Sequence, residues 1–346
     1  MKILYAVQAT GNGHISRAME LLPYLKRYGK VDLFLSGANS SLDLDAPVRY
    51  RSKGLCLFYN SIGSLNYFKM VREFAPLRVL REARDLPVEK YDLVLNDFEC
   101  ITALACWRKR IPSINFGHQA SFQSEKTPRP SPKDAIGEWI LRHYGRASQY
   151  IGLHFQSYDD FILPPVIKKS ILQAEPSDQG HICVYLPSYS DEELYKFLSP
   201  LTNHPFQVFS KQVSQPTQRG QILFLPVHRK AFDQSLITSH AVLTGAGFET
   251  PAEALYLGKK LLTIPIQGQY EQLCNAAALE KMGVPVVNRL DQYFARSFNQ
   301  WMADQKRVSL SLDYSTEAII RFVMEHSQPG RFKSWDLEHF GGLTFN

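Results

Sequence analysis

The chain opens on an unbroken apolar run, Ile3 to Val7, of the kind a parallel strand buried on both faces requires. A polar, glycine-rich stretch follows, Gln8-Ala9-Thr10-Gly11-Asn12-Gly13-His14, and then a helical pattern from Ser16 to Tyr28. Strand-like runs recur at Val31 to Leu35, Leu55 to Tyr59, Leu93 to Leu95, Ser113 to Phe116 and Tyr150 to Leu153, with helical patterns between most of them. Such alternation predicts a doubly wound parallel sheet. A second series starts at Ile182 to Leu186 and continues through Gln207 to Phe209, Ile222 to Leu225, Ala241 to Leu243 and Leu261 to Ile264. Between the two series, residues 159–180 contain Pro164-Pro165 and the polar run Glu175 to Gly180, the composition of a linker. The expected architecture is α/β: two Rossmann-like domains, 1–158 and 181–316, with a final helix from Glu317 to His326. A length of 346 residues agrees with two cores of about 150 residues each.

Composition changes this picture little, and charge changes it more. The N-terminal run is too short for a signal peptide and no stretch of about 18 apolar residues occurs, so a cytoplasmic protein is expected. Five cysteines, Cys56, Cys100, Cys106, Cys183 and Cys274, lack metal-ligand spacing and read as reduced thiols. Residues 1–155 hold 22 Lys and Arg against 14 Asp and Glu, a net of +8, while residues 156–346 hold 17 against 19, a net of −2. Much of the excess lies in Lys69, Arg72, Arg78, Arg81, Arg84 and Arg108-Lys109-Arg110, mixed with Phe68, Met70, Val71, Phe74, Leu77 and Leu80. Two readings stay open for this segment: ordinary helices with apolar faces in the core, or contact with an anionic membrane surface. Nucleic acid is disfavoured, because no recognised nucleic-acid motif accompanies so modest a basic excess.

The densest chemistry lies between Thr244 and Val287. The turn Gly245-Ala246-Gly247 joins a buried strand to a helix, an arrangement that points unpaired N–H groups and the positive end of the helix dipole at an anion. Glu253, six residues past Gly247, falls on nearly the same face of that helix and can accept ribose hydroxyls. The strand Leu261 to Ile264 leads into Gln267-Gly268-Gln269-Tyr270-Glu271-Gln272, after which Asn275 is expected to open a helix. Both loops stand beyond carboxyl ends of strands, where open parallel sheets bind ligands. Near the N-terminus, Gly11, Gly13 and His14 lack the dinucleotide G-x-G-x-x-G spacing, which disfavours NAD.

Gly247, Thr250, Glu253, Pro265, Glu271-Gln272 and Asn275 together resemble the donor half of family 1 and family 28 glycosyltransferases, which have the GT-B fold. The resemblance implies a nucleotide-sugar donor, most readily a UDP-sugar, and no resident cofactor. It assigns Gly245, Gly247 and Thr250 to the diphosphate, Glu253 to the ribose, and Glu271, Gln272 and Asn275 to the sugar side. Ser188 and Val227, in loops after strands of the second series, complete the expected donor set. Two positions depart from the family 1 pattern: Gly245 stands where it has a phosphate-binding His, and Glu249 where it has Asn. A carboxylate aimed at a diphosphate is repulsive, so Glu249 is expected to point aside, or the phosphates to be held by the turn backbone and Thr250.

In the N-terminal half the Gly11-Asn12-Gly13-His14 run resembles the catalytic-His loop of family 1 and the first loop of family 28. It makes His14 the candidate base, with Asp97 at the Asp-x-Phe place whose acid orients it. Glu99 competes with Asp97 for that role. His118-Gln119 resembles the acceptor loop of family 28, so Gly11, Gly13, His118 and Gln119 form the expected acceptor side. No Asp-x-Asp clamp for a divalent ion on the diphosphate is expected in the chain, so the expected transfer is inverting and metal-independent, to a small-molecule or lipid-linked acceptor hydroxyl. Residues 317–346 are expected to cross back to the first domain, as last helices do in this fold. Two other activities suit the same site: a sugar-nucleotide 2-epimerase, and a non-catalytic nucleotide-sugar binding protein.

Overall fold

A computed structural model of the chain describes residues 1–9, 11–37, 46–54, 75–312 and 314–327. Its first half runs β1 (Lys2–Gln8), α1 (Asn12–Leu25), β2 (Lys30–Ser36), β3 (Val48–Ser52), α2 (Pro76–Asp85), β4 (Leu93–Asp97), α3 (Cys100–Lys109), β5 (Ile114–Gly117), α4 (Ala135–His143), β6 (Gln149–Leu153) and β7 (Ile162–Leu163). A 3-10 turn, His118–Gln123, follows β5. These strands form one sheet in the order β3-β2-β1-β4-β5-β6-β7, with every pair parallel. Ile3 to Val7 are fully buried, as their unbroken apolar run requires.

The second half continues through α5 (Lys169–Leu172), β8 (Ile182–Tyr185), α6 (Asp191–Leu198), β9 (Phe206–Ser210), β10 (Thr217–Arg219), β11 (Ile222–Pro226), α7 (Arg229–Thr238), β12 (Ala241–Gly245), α8 (Glu249–Tyr256), β13 (Lys260–Ile264), α9 (Tyr270–Met282), α10 (Phe294–Ala303) and α11 (Thr316–His326). Its sheet has the order β10-β11-β9-β8-β12-β13, and only the edge strand β10 is antiparallel. Strand order reverses between β1 and β4 in the first sheet and between β8 and β12 in the second. Crevices form at the carboxyl ends of strands at such reversals, so the topology alone points at His14, Asp97, Ser188 and Gly245.

Several expectations shift. The first helix begins at Asn12, not Ser16, so Gly13 and His14 belong to its first turn instead of a loop. Likewise α9 begins at Tyr270 and takes Glu271 and Gln272 into its first turn, ahead of Asn275. Within the expected linker, Ile162–Leu163 adds a last strand to the first sheet. β3 went unread because Val48-Arg49-Tyr50-Arg51-Ser52 alternates apolar with charged residues, as an edge strand does. The run Leu55 to Tyr59 lies outside the described residues.

The two halves are packed together. Phe155, just past β6, meets Phe248 at the start of α8 with ring centroids 5.1 Å apart, and both belong to one hydrophobic core that reaches from β1 to β12. The last described helix, α11, returns to the first domain against α1, where Arg27 Nη1 lies 2.9 Å from Glu317 Oε1. Among the described residues no helix is long and apolar enough to cross a membrane.

Candidate active site

β1 and β4 are neighbours in register, Val7 opposite Asp97, and this pairing brings the start of α1 beside the end of β4. His14 Nδ1 lies 2.9 Å from Asp97 Oδ1. Asp97 is fully buried, and Gly117 at the end of β5 makes room for it: a Cβ there would stand 2.5 Å from Asp97 Oδ1. On the far side of the ring, Gln119 Nε2 is 3.4 Å from His14 Nε2. An amide N–H aimed at Nε2 and a carboxylate at Nδ1 favour the tautomer protonated on Nδ1, which leaves the Nε2 lone pair facing outward.

The electrostatics of the pair agree with that reading. Burial disfavours the charged imidazole, but the Asp97 carboxylate outweighs burial, and the His14 pKa is raised above its ordinary value. For Asp97, burial works upward while Arg17 and then His14 pull harder downward, holding its carboxyl at about 2. Glu99, the competing acid, serves elsewhere. Its carboxylate caps α3, accepting from Ile101 N at 2.9 Å and Thr102 N at 2.6 Å, while Asn96 holds its backbone.

Arg17 is the residue that sequence reasoning missed. It lies three positions after His14 on the same helical face, is 3% exposed, and binds Asp97 through Nε at 3.2 Å and Nη2 at 2.7 and 2.9 Å. Its Nη1 pairs with Glu249 across the cleft. The His-x-x-Arg spacing in a helix was the available signal. Glu249 thus points aside from the α8 turn, toward the first domain.

Opposite the His14–Asp97 pair, the turn Gly245-Ala246-Gly247 ends β12 and opens α8, with Thr250 half-buried in its first turn. Residues expected to line a shared donor surface prove to have separate duties. Asn275 is fully buried; its Nδ2 donates to Ala246 O at 3.0 Å, and its Oδ1 lies 2.7 Å from His118 Nε2. His118, expected on the acceptor side, is itself buried: Nδ1 lies 2.9 Å from Leu153 O, and the ring stacks on Phe248 at 4.0 Å and 9°. His118 and Asn275 therefore brace the two domains against each other, and neither presents free polar atoms to a ligand. Gln272 Oε1 accepts from Ile266 N at 2.9 Å, bracing its own loop. Glu271 remains partly exposed, 4.0 Å from His118 Nε2. Ser188 is buried and Val227 packs against the core.

Glu253 departs furthest from expectation. Instead of standing open on the helix face, it is 2% exposed, with Oε2 3.1 Å from Lys168 Nζ. Lys168 also pairs with Asp233, whose Oδ2 accepts from Ser170 Oγ at 2.7 Å. Burial pushes the Glu253 carboxyl up to about 7, with Lys168 pulling against it.

Two open cavities, of about 660 and 800 Å³, lie around Val286 and Val287 and include neither His14, Asp97 nor the α8 turn. The contacts Arg17–Glu249 and His118–Asn275 draw the cleft together, so the chemistry and not these cavities marks the site. Among the described residues no cluster of three or more His, Cys, Asp or Glu is placed to hold a metal. The chain does contain one Asp-x-Asp run, Asp43-Leu44-Asp45, outside the described residues and in the first half.

The family model described as glycosyl transferase family 1 matches residues 1–303. No curated protein matches the chain in sequence. Among solved structures, S. aureus MnaA in complex with UDP is similar with a TM-score of 0.58 at 11% identity, covering 94% of this chain and 95% of that one. Arabidopsis thaliana UGT89C1 complexed with quercetin gives 0.57 at 14% identity, with 96% and 95% covered. A UDP-N-acetylglucosamine 2-epimerase gives 0.51 at 14%, with 93% and 94% covered. Likeness at these identities is one of fold, and it extends over both halves: the architecture is GT-B.

Proposed function

The chain belongs to glycosyl transferase family 1, and from that premise we propose that it is an inverting, metal-independent enzyme that moves a sugar from a UDP-sugar to an acceptor hydroxyl. The observation that carries this reading is the His14–Asp97 hydrogen bond of 2.9 Å, held at the strand-order reversal of one sheet and facing the α8 turn of the other. In this reaction His14 Nε2 takes the proton of the acceptor hydroxyl as its oxygen attacks the anomeric carbon. The bond from that carbon to the diphosphate breaks, and the electron pair leaves with the phosphate. Asp97 stabilises the imidazolium formed, and backbone N–H groups from Gly245 to Thr250 receive the departing charge.

On the donor side, the partly exposed Glu271 is the acid for sugar hydroxyls, while Gln272 and Asn275 act by fixing the loops that carry them. The ribose is assigned to Glu253 by the family resemblance, and with Oε2 held by Lys168 in a buried cluster that contact requires the cluster to open to the cleft. On the acceptor side Gly11, Gly13 and Gln119 border His14, and the acceptor is a small molecule or a lipid-linked hydroxyl at an anionic membrane face. The UDP named in the MnaA complex and the quercetin named in the UGT89C1 complex support a nucleotide-sugar donor and a small acceptor.

The test is incubation with a panel of UDP-sugars, with and without EDTA, followed by product analysis. Transfer or slow donor hydrolysis that survives EDTA supports the reading. A C2-epimerised product means an epimerase instead, and tight binding without turnover means a binding protein.

A further inference from the structure

A buried guanidinium offers five N–H groups that need partners, and those of Arg17 face three functional side chains. Nε and Nη2 grip Asp97, Nη2 also reaches His14 Nδ1 at 3.0 Å, and Nη1 crosses to Glu249 on α8. One side chain of the first domain thus touches the base, its acid and a carboxylate of the other domain. His14 Nδ1 consequently has two neighbours with opposite demands. As a donor to Asp97 it leaves Nε2 basic. As an acceptor from Arg17 Nη2 it would carry its proton on Nε2 and be unable to take one from a hydroxyl.

We propose that Arg17 and Glu249 are a positioning pair coupling the base to the donor half: Glu249 draws the guanidinium toward α8, so Asp97 retains the Nδ1 proton of His14 while the halves are together. The inference rests on the transferase reading above and adds to it two residues that act through His14. Gly13 fits this arrangement, because a Cβ there would stand 2.4 Å from Glu249 Oε2; only a bare backbone leaves Glu249 its path to Arg17. The groups facing this cluster are Asp97 from β4, Arg17 from the same helix, Glu249 from α8, Gln119 from the 3-10 turn and the buried Tyr5 from β1. Of the charged ones, Asp97 and Glu249 favour the imidazolium and Arg17 opposes it. Removing Glu249 leaves the Arg17 charge uncancelled beside the ring, which lowers the His14 midpoint.

The experiment is a histidine titration by 13C–1H correlation spectroscopy on the full chain, with the His14 signal assigned by its loss in His14→Gln. Glu249→Gln and Gly13→Ala, one removing the carboxylate's charge and the other displacing it, should each move the His14 midpoint to lower pH. Glu249→Asp should return it toward wild type. In an active preparation both variants should lower kcat more than they raise the donor KM. Glu249→Gln is nearly isosteric at a partly exposed side chain, so it keeps the test available if Gly13→Ala does not fold. A His14 midpoint unchanged or raised in a folded variant overturns the proposal. The titration needs no substrate, so a failed transferase assay overturns the function proposed above and leaves this result standing.

Discussion

A histidine in the first turn of a helix works as a base only if its proton sits on the inner nitrogen, and here that depends on Asp97. His14→Ala should lower turnover by about 10²- to 10⁴-fold, the usual contribution of a positioned base, with UDP affinity nearly unchanged, since the base belongs to the other domain. Calorimetry beside a rate assay separates the two. Donor affinity falling as far as turnover would make His14 a binding residue. Asp97→Asn should share most of the defect by favouring the wrong tautomer. The pH dependence has a definite sign: the base is competent when neutral, so kcat/KM should climb as pH rises through a His14 midpoint above the ordinary histidine value. In Asp97→Asn the partner that raises the midpoint is gone, and the acid limb should move to lower pH. Asp97 also links pH to stability, because its carboxyl is held at about 2. That contribution is complete above the ordinary carboxylate range and is lost as pH falls toward 2.

At the scale of elements, the sequence made the sheets legible because buried parallel strands write themselves as apolar runs. Helix starts were less legible. Gly11-Asn12-Gly13 looks like a loop by composition, yet Gly11 is the extended N-cap of α1, and that shift places His14 and Arg17 on one helical face. The pairing of His14 with Asp97 was implied by the family resemblance; the contacts of His118, Asn275 and Glu253 were not. All three are settled by side chains from distant elements: α9 for His118, the 3-10 turn for Asn275, and Lys168 with Asp233 for Glu253. The last cluster makes a prediction of its own. A carboxyl raised from 4.5 to about 7 binds its proton more tightly folded than unfolded, so wild-type stability should decline as pH climbs from 4.5 to 7. Glu253→Gln should flatten that slope in thermal melts, and an unchanged slope would place the titration elsewhere. If Glu253 also meets the ribose, Glu253→Ala should weaken UDP binding by about 1.5 to 3 kcal/mol, the range for a hydrogen bond to a charged group. Unchanged calorimetric affinity in folded Glu253→Ala would confine the residue to the cluster.

At the scale of the whole molecule, the basic excess and most of the exposed large apolar residues lie on the first domain. Part of the basic segment, including Lys69, Arg72 and their apolar neighbours, lies outside the described residues, but α2 carries Arg78, Arg81 and Arg84 and leaves Leu77 82% exposed. The run Arg108-Lys109-Arg110 has a local explanation. It ends α3, where cations suit the helix dipole, and Lys109 donates to Leu86 O and Glu89. A second apolar ridge stands on α4, where Ile136, Trp139 and Ile140 share a face and are 72%, 59% and 41% exposed. Helix α4 also packs against the 3-10 turn that carries Gln119, so this ridge adjoins the expected acceptor side. Leu77 and Leu80, exposed on the basic helix α2 itself, are the combination that suits an anionic lipid surface. Each basic residue near such a surface contributes about 1 kcal/mol, so attachment should be weak, reversible and abolished by salt. In co-sedimentation the protein should pellet with anionic vesicles at low salt, remain in the supernatant with neutral vesicles, and be released at high salt. Trp139→Ala together with Ile136→Ser should reduce the pelleted fraction if α4 takes part. Protein that stays in the supernatant with anionic vesicles at low salt would make the acceptor a soluble small molecule, and would leave Leu77 and Trp139 as isolated apolar residues of an ordinary surface.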